Sequence, residues 1–230
     1  MKSRFVVAQM EQNGDPEINL ENARKAVAEA VEYYHADFIV FPECYMSLYP
    51  AGTPHEKQLA SAQTLDGPFA TEMKKLAKDN HVWIAFGMNE KVDNPADPRN
   101  HNTTMIIDSE GEVKGVYRKT HLYDAFGYKE SDTICPGDKL FDPIDTPFGK
   151  IGLFVCYEVR FPEVARDQVL KGADIILMPT AWASGPLKSH QFKTLITARA
   201  IENTAYIVAA DQVGVNSMGA VSYTHLRAHE

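Results

Sequence analysis

The sequence predicts an α/β fold, and two observations carry that prediction. Short apolar runs alternate with amphipathic stretches along all 230 residues, the pattern of strands interleaved with the helices that cover them. Residues 36–42 (ADFIVFP) and 173–179 (ADIILMP) also echo one another, each following a helical stretch and ending in proline. Two similar helix–strand halves suggest a pseudo-symmetric sandwich, with two sheets face to face and helices outside. Buried strands resemble each other in any α/β protein, so the echo alone leaves a simpler sheet open.

The elements follow in order. RFVVAQM (4–10) reads as the first strand. Asp15 followed by Pro16 marks a helix start, because a short polar side chain caps free N–H groups and proline suits the first turn. Leu20, Ala23, Val27, Ala30, Val31 and Tyr34 then recur at helical spacing. DFIVF (37–41) is a buried strand ending at Pro42, and a loop rich in Tyr, Pro and Gly spans roughly Cys44 to Gly67, long enough to imply a functional role. A helix from Pro68 to about Lys78 leads into the strand VWIAFGMNE (82–90). VDNPADPRNHN (92–102) reads as a turn, and TTMIID (103–108) with EVKGVYRK (112–119) as a hairpin. After an irregular stretch through Pro136, KLFDPIDT (139–146) and KIGLFVCYE (150–158) form a second strand pair. Helices from Pro162 to Lys171 and from Pro186 to Asn203 then alternate with the strands DIILMP (174–179) and AYIVAA (205–210).

Composition narrows the function. Hydrophobic residues make up 44% and charged residues 23%, ordinary for a globular enzyme with a real core. A net charge of −8 leaves no basic stripe for a phosphate backbone, which argues against a nucleic-acid partner. Cys44, Cys135 and Cys156 are too few for a disulfide framework and too scattered for a metal knuckle, which points to a reducing compartment. The apolar run at the N-terminus is too short for a signal peptide or a membrane span, so a cytoplasmic, non-membrane protein is predicted. No glycine-rich phosphate loop or dinucleotide fingerprint occurs, and no cofactor or metal is implied. No linker divides the chain, and residues 1–220 read as one domain.

Three reactive side chains fall at predicted strand ends. Cys156 closes an apolar strand just before a helix, where ligand sites of α/β sheets collect and where N–H groups meet developing negative charge; free cysteine is also a common inert packing residue. Glu43 follows DFIVF-Pro, and a carboxylate in an apolar setting becomes a usable base because desolvation disfavours its charge; a glutamate after proline also commonly just opens an exposed loop. Lys119 ends a third strand, where a fixed ammonium could stabilise an oxyanion; beside Arg118 it also fits a solvated pair on alternate faces. Each is weak alone, and the combination is specific.

Together these stretches resemble the nitrilase superfamily of carbon–nitrogen hydrolases, with its Glu–Lys–Cys catalytic set. The matching segments are FIVFPECYMSLYP around Glu43, YRKTHLYD around Lys119 and KIGLFVCYEVRFPE around Cys156, followed by GADIILMPTAW and TARAIENTAYIVAADQ in the expected order. The resemblance implies a four-layer αββα sandwich that assembles into homo-oligomers. It implies Cys156 as nucleophile, Glu43 as general base, Lys119 as oxyanion stabiliser, and Glu130, in GYKESDTICPG, as a supporting second glutamate. In that chemistry the N–H of Tyr157 joins Lys119 at the oxyanion, and a thioester forms after ammonia leaves.

Tyr157 in place of the tryptophan usual in true nitrilases, within CYEVRFPE, is similar to the amidase, ω-amidase and N-carbamoyl-hydrolysing branches. Arg160 could pair with a substrate carboxylate or with Glu158 or Glu163 nearby. Trp182, Tyr128 and Tyr49 are candidate pocket walls, though aromatics also simply pack. A small amide is the expected substrate, with a nitrile or an N-carbamoyl compound as alternatives. A cysteine–histidine hydrolase using His121 or His190 is the nearest rival. His225 and His229 make a weak zinc pair, and the G-x-S-x-G elbow of a serine hydrolase is absent. An inactive, partner-binding member of the family is the non-enzymatic reading. The family's domain continues past ADQVG, so the C-terminal part is expected to be truncated, with residues 221–230 non-native, a sheet edge left unpaired and poor expression.

Overall fold

The first helix is fixed by its own sequence. The Asp15 side chain accepts a hydrogen bond from the Glu17 N–H at 3.0 Å, Pro16 takes the first helical position, and α1 runs over Pro16–Tyr34. It ends at His35, whose φ of 50° is left-handed. The computed structural model describes residues 3–50, 52–94, 96–125, 127–214 and the backbone of 226–227.

Five strands form the first sheet in sequence order: β1 (Phe5–Val7), β2 (Phe38–Val40), β3 (Trp83–Lys91), β4 (Asn100–Ile107) and β5 (Val113–Arg118). Its first three strands are parallel, and β4 and β5 each reverse direction, so β5 again runs the same way as β2. A two-stranded hairpin, β6 (Asp124–Ala125) and β7 (Tyr128–Lys129), precedes the second sheet. That sheet orders β8 (Ile144–Thr146), β9 (Gly149–Leu153), β10 (Ile175–Thr180), β11 (Tyr206–Asp211) and β12 (Leu226–Arg227) from one edge to the other, with β9, β10 and β11 parallel. The two echoing segments are β2 and β10, each flanked by parallel neighbours in its own sheet.

The period of two along β3 shows how the layers form. Trp83 and Ala85 face the second sheet and join Phe38, Val40, Leu153 and Leu177 in one core. Ile84, Phe86 and Met88 face outward and pack on Leu20, Ala23 and Val27 of α1 and on Phe69, Ala70 and Met73 of α3 (Pro68–Asp79). On the far side, Val164 and Ala165 of α4 (Pro162–Leu170) and Phe192 and Ile196 of α5 (Lys188–Asn203) cover the second sheet. The result is the αββα sandwich. Among the described residues, no helix is long and apolar enough to cross a membrane.

Several elements differ from the sequence reading. The predicted loop after Cys44 contains a short helix, α2 (His55–Ala60). The predicted turn at 92–102 ends early, because Asn100, His101 and Asn102 pair with Lys91, Glu90 and Asn89 and extend β4. The irregular stretch before Pro136 holds the hairpin and a 3₁₀ turn at Glu130–Asp132. The strand expected to reach Cys156 stops at Leu153, and Cys156–Arg160 form a 3₁₀ turn. Leu226–Arg227 pair antiparallel with Ile207 and Val208 of β11; the rest of the predicted tail, with His225 and His229, lies outside the described residues.

Candidate active site

Strand direction brings distant segments to one rim. Because β2 and β5 run the same way, Glu43 and Lys119, just beyond them, project from the same end of the first sheet. Cys156 follows β9, and Ala181 follows β10 at the facing end of the second sheet. The N–H of Ala181 donates to Glu43 Oε2 at 2.9 Å, joining the two sheets at that rim.

Lys119 is the hub. Its Nζ donates to Glu43 Oε1 at 2.9 Å and to Glu130 Oε2 at 2.9 Å and Oε1 at 3.2 Å. Lys119 is 2% exposed, Glu43 4%, Glu130 7% and Cys156 9%, so these groups act in a medium that screens charge poorly. Burial works to lower the Lys119 pKa, but the charges of Glu130 and Glu43 outweigh it and hold the ammonium well above its ordinary value. Burial, reinforced by the charge of Glu43, pushes the Cys156 thiol well up, against the pull of Lys119. The thiol form of the nucleophile is therefore favoured at rest, with Glu43 and Lys119 lining the same pocket.

Backbone geometry aims the thiol. Cys156 has φ 48°, the left-handed region that a non-glycine residue rarely takes and that concentrates at functional sites. The sharp bend between strand and 3₁₀ turn does the work of an elbow without its flanking glycines. Cys44, next to Glu43, also has positive φ (53°) and lines the same pocket; burial first, then the charges of Glu43 and Glu130, hold its thiol well above the ordinary value.

The pocket encloses about 100 Å³, with Glu43, Lys119, Glu130 and Cys156 lining its inner end. Tyr157, Arg160, Trp182 and Tyr128 line it. Tyr49 does not: its ring packs against Gly14 and under Lys57, and the preceding Leu48 lines the pocket instead. Arg160 makes no ion pair with Glu158 or Glu163. Its guanidinium lies 5.2 Å from the Trp182 ring centroid and 5.9 Å from that of Tyr157, and Nη2 donates to Gln191 Oε1 at 2.7 Å. Its Nε is buried without a hydrogen-bond partner among the described residues. Neither His121 nor His190 lines the pocket, which removes support for a cysteine–histidine pair.

Sequence reasoning missed three contributors. Asn102 donates from one Nδ2 to Glu43 Oε1 at 2.8 Å and Glu130 Oε1 at 3.1 Å, so a single amide fixes both carboxylates. The N–H of Tyr123 donates to Glu130 Oε2 at 2.7 Å, which orients that carboxylate from the hairpin side. Lys188 reaches the pocket from the start of α5, over the rings of Tyr123 (5.5 Å) and Trp182 (5.7 Å). The signal for Asn102 was a polar residue inside a strand otherwise rich in apolar and β-branched residues, hidden by reading it as turn.

A sandwich with a buried glutamate–lysine–glutamate cluster beside a strained cysteine places the protein among the nitrilase-fold hydrolases. Residues 6–227 match the family model described as carbon–nitrogen hydrolase, and the chain belongs to that family. It is 34% identical over 205 residues to the deaminated glutathione amidase of Escherichia coli O157:H7, covering 88% of this chain and 75% of that one. It is 33% identical over 227 residues to the nitrilase and fragile histidine triad fusion protein NitFhit of Caenorhabditis elegans, covering 96% of this chain and half (50%) of that protein. The crystal structure of C. elegans NitFhit superposes with a TM-score of 0.85 at 32% identity, over 98% of this chain and 56% of that one. A mutant amidase from Nesterenkonia sp. AN1, carrying acrylamide added at its active-site cysteine, superposes with a TM-score of 0.81 at 25% identity, over 96% of this chain and 82% of that one.

Proposed function

We propose that this protein hydrolyses the C–N bond of a small amide bearing a carboxylate, through a thioester on Cys156, with release of ammonia. The observation that carries the reading is the convergence of Glu43, Lys119, Glu130 and Cys156, from four separate stretches of chain, on one buried pocket.

The chemistry follows from the resting protonation. A buried thiol is a poor nucleophile until a base takes its proton during attack, and the Glu43 carboxylate, lining the same pocket, serves as that base. The sulfur–carbon bond forms as that proton moves to Glu43, and the carbonyl electrons collect on an oxyanion. Lys119 and the N–H of Tyr157 meet this charge, prearranged so that little reorganisation is needed. Glu43 then passes its proton to the leaving nitrogen, ammonia departs, and a thioester remains. Water attacks the thioester while Glu43 takes one of its protons; collapse returns the proton to sulfur and frees the acid. Glu130 and Asn102 hold Lys119 and Glu43 in place through these steps.

The carboxylate preference rests on Arg160 and Lys188, two cations on the pocket wall flanking the Trp182 ring. The E. coli relative is itself named an amidase, of deaminated glutathione. Localisation in the cytoplasm, from the few scattered cysteines, and assembly into homo-oligomers, from the family likeness, are part of the proposal.

The test is ammonia release from a panel of neutral amides, carboxylate-bearing amides, nitriles and N-carbamoyl amino acids, with Cys156→Ala as control. Turnover of carboxylate-bearing amides, a covalent mass increase on Cys156 during turnover, and none of either in Cys156→Ala are expected. Undiminished ammonia release by Cys156→Ala would end the reading, and silence across the whole panel would favour a partner-binding protein.

A further inference from the structure

We infer that Glu158 is a positioning residue that clips the Lys119 segment to the Cys156 turn, setting the spacing between ammonium and thiol; this deepens the proposed hydrolase reading and rests on it. Glu158 is fully buried, 0% exposed, and follows the pocket-lining Tyr157 in the chain. Its two oxygens are divided between the two segments. Oε2 accepts from the N–H of Val155, the residue before the nucleophile, at 2.8 Å. Oε1 accepts from the N–H groups of Thr120 and His121, the two residues after Lys119, at 3.0 and 3.1 Å. The same oxygen also accepts from Thr120 Oγ1 at 2.8 Å and from the Tyr117 hydroxyl at 2.7 Å.

The two segments belong to different sheets, Lys119 following β5 and Cys156 following β9. A single rigid carboxylate that holds the backbone on both sides therefore fixes a distance that sheet packing alone would set loosely. Lys119 is flanked by donors to this group at Tyr117, Thr120 and His121, and Cys156 by one at Val155.

Only an ionised carboxylate suits the place. Every neighbour just named is a donor, and burying donors without an acceptor is costly. A glutamine keeps the shape but must aim its NH₂ at one side. Facing the single Val155 N–H leaves fewer donors unpaired than facing the cluster beyond Lys119, so Glu158→Gln detaches the nucleophile turn. Glu158→Asp keeps the charge but is one methylene too short to reach both segments.

The experiment compares the full chain with Glu158→Gln and Glu158→Asp, reading kcat, KM, the rate of Cys156 alkylation by iodoacetamide across pH, and thermal melting. Both variants are expected to melt cooperatively. Misplacing a reacting group by about 1 Å costs roughly 10²-fold, so kcat is expected to fall about a hundredfold while KM stays within about threefold. The pH profile of alkylation should shift, because the thiol moves relative to Glu43 and Lys119. Val27→Ala, a cavity in the α1 layer remote from the pocket, should lower the melting temperature and leave kcat unchanged. Retention of kcat within about threefold in either variant overturns the inference; so does an effect confined to KM. Loss of cooperative melting in both would also overturn it, making Glu158 a residue of stability alone. Cys156→Ala separates this from failure of the underlying reading: if it still turns over, the reading fails, and if it is dead while both Glu158 variants are fast, only the positioning role fails.

Discussion

Arg160 brings a positive charge to the wall of a pocket whose inner end already pairs one ammonium with two carboxylates. Lys119 is consumed by Glu43 and Glu130, so an anionic substituent must find its cation elsewhere. The guanidinium stacks on Trp182 and Tyr157, one nitrogen is tied to Gln191, and its buried Nε has no hydrogen-bond partner among the described residues. A planar group held in that way is prepared to donate to a carboxylate, and aromatic stacking keeps its rotamer freedom low before substrate arrives. Hydrogen bonds to charged groups contribute about 1.5–3 kcal/mol, which predicts that Arg160→Ala raises KM for carboxylate-bearing amides by roughly tenfold or more. The same change should leave KM for neutral amides nearly unaltered, since they offer no charge to lose. Steady-state kinetics on matched neutral and acidic amides checks this, and equal rises for both would remove Arg160 from substrate recognition.

At the scale of elements, the turn that carries Glu43 lies directly on β3. A Cβ built on Gly87 would come 2.4 Å from the Cys44 nitrogen and 2.9 Å from the Glu43 carbonyl carbon. These are backbone atoms, so a methyl group must displace the turn rather than rotate a side chain aside. The turn is also tied to β3 by the Met46 N–H donating to the Gly87 carbonyl at 2.9 Å. Gly87→Ala is therefore expected to cost about 1–3 kcal/mol of stability by overpacking. Shifting the Glu43 turn should lower kcat by roughly 10²-fold. Melting and kinetics on the purified variant test both parts, and a wild-type kcat would show that the turn's position is not critical.

The same scale explains what the sequence revealed and what it hid. Helix starts and buried strands were legible because Asp15–Pro16 and runs such as DFIVF act locally, through capping and burial. Glu43, Lys119 and Cys156 were legible as reactive types at strand ends, and the family likeness supplied their order. Asn102 was hidden because its value depends on a register with β3 that no local rule states, in a segment whose Asn, Asp and Pro content reads as turn. The bend at Cys156 was hidden because it depends on a left-handed backbone at a non-glycine residue. Tyr49 was misplaced because a loop sequence does not tell which of two adjacent residues turns inward; Leu48 does.

Across the whole molecule, the junction of the two face-to-face sheets at one rim holds a titratable cluster sensitive to pH. His121 sits at the junction, its ring 4.3 Å from Phe161 and its Nδ1 3.4 Å from Glu158 Oε1. The hydrogen bond to Glu158, opposed by burial and helped by the charges of Glu158 and Glu163, raises the His121 pKa above its ordinary 6.5. Burial pushes the other way on Glu158, but hydrogen bonds from His121, Tyr117, Val155 and Thr120 win and lower its pKa from 4.5. A raised histidine stabilises the fold fully below its unfolded pKa, and the contribution fades as pH rises through the folded value. A lowered carboxylate stabilises fully above its unfolded pKa and loses that contribution as pH falls through the folded value. Both contributions are complete between pH 4.5 and 6.5, so the clip between the sheets is tightest in mildly acidic solution and loosens first on the alkaline side, where imidazolium loses its proton. His121→Gln removes the alkaline-side contribution and, by taking one donor from Glu158, weakens the acid-side one. Wild type should therefore exceed His121→Gln in melting temperature by more at about pH 5.5 than at about pH 8.5. The difference should be modest, because His121 is partly exposed and solvent screens the pair. Melting curves of the two proteins across that range decide the matter, and a constant gap between them would mean that the imidazole's charge plays no part in holding the sheets together.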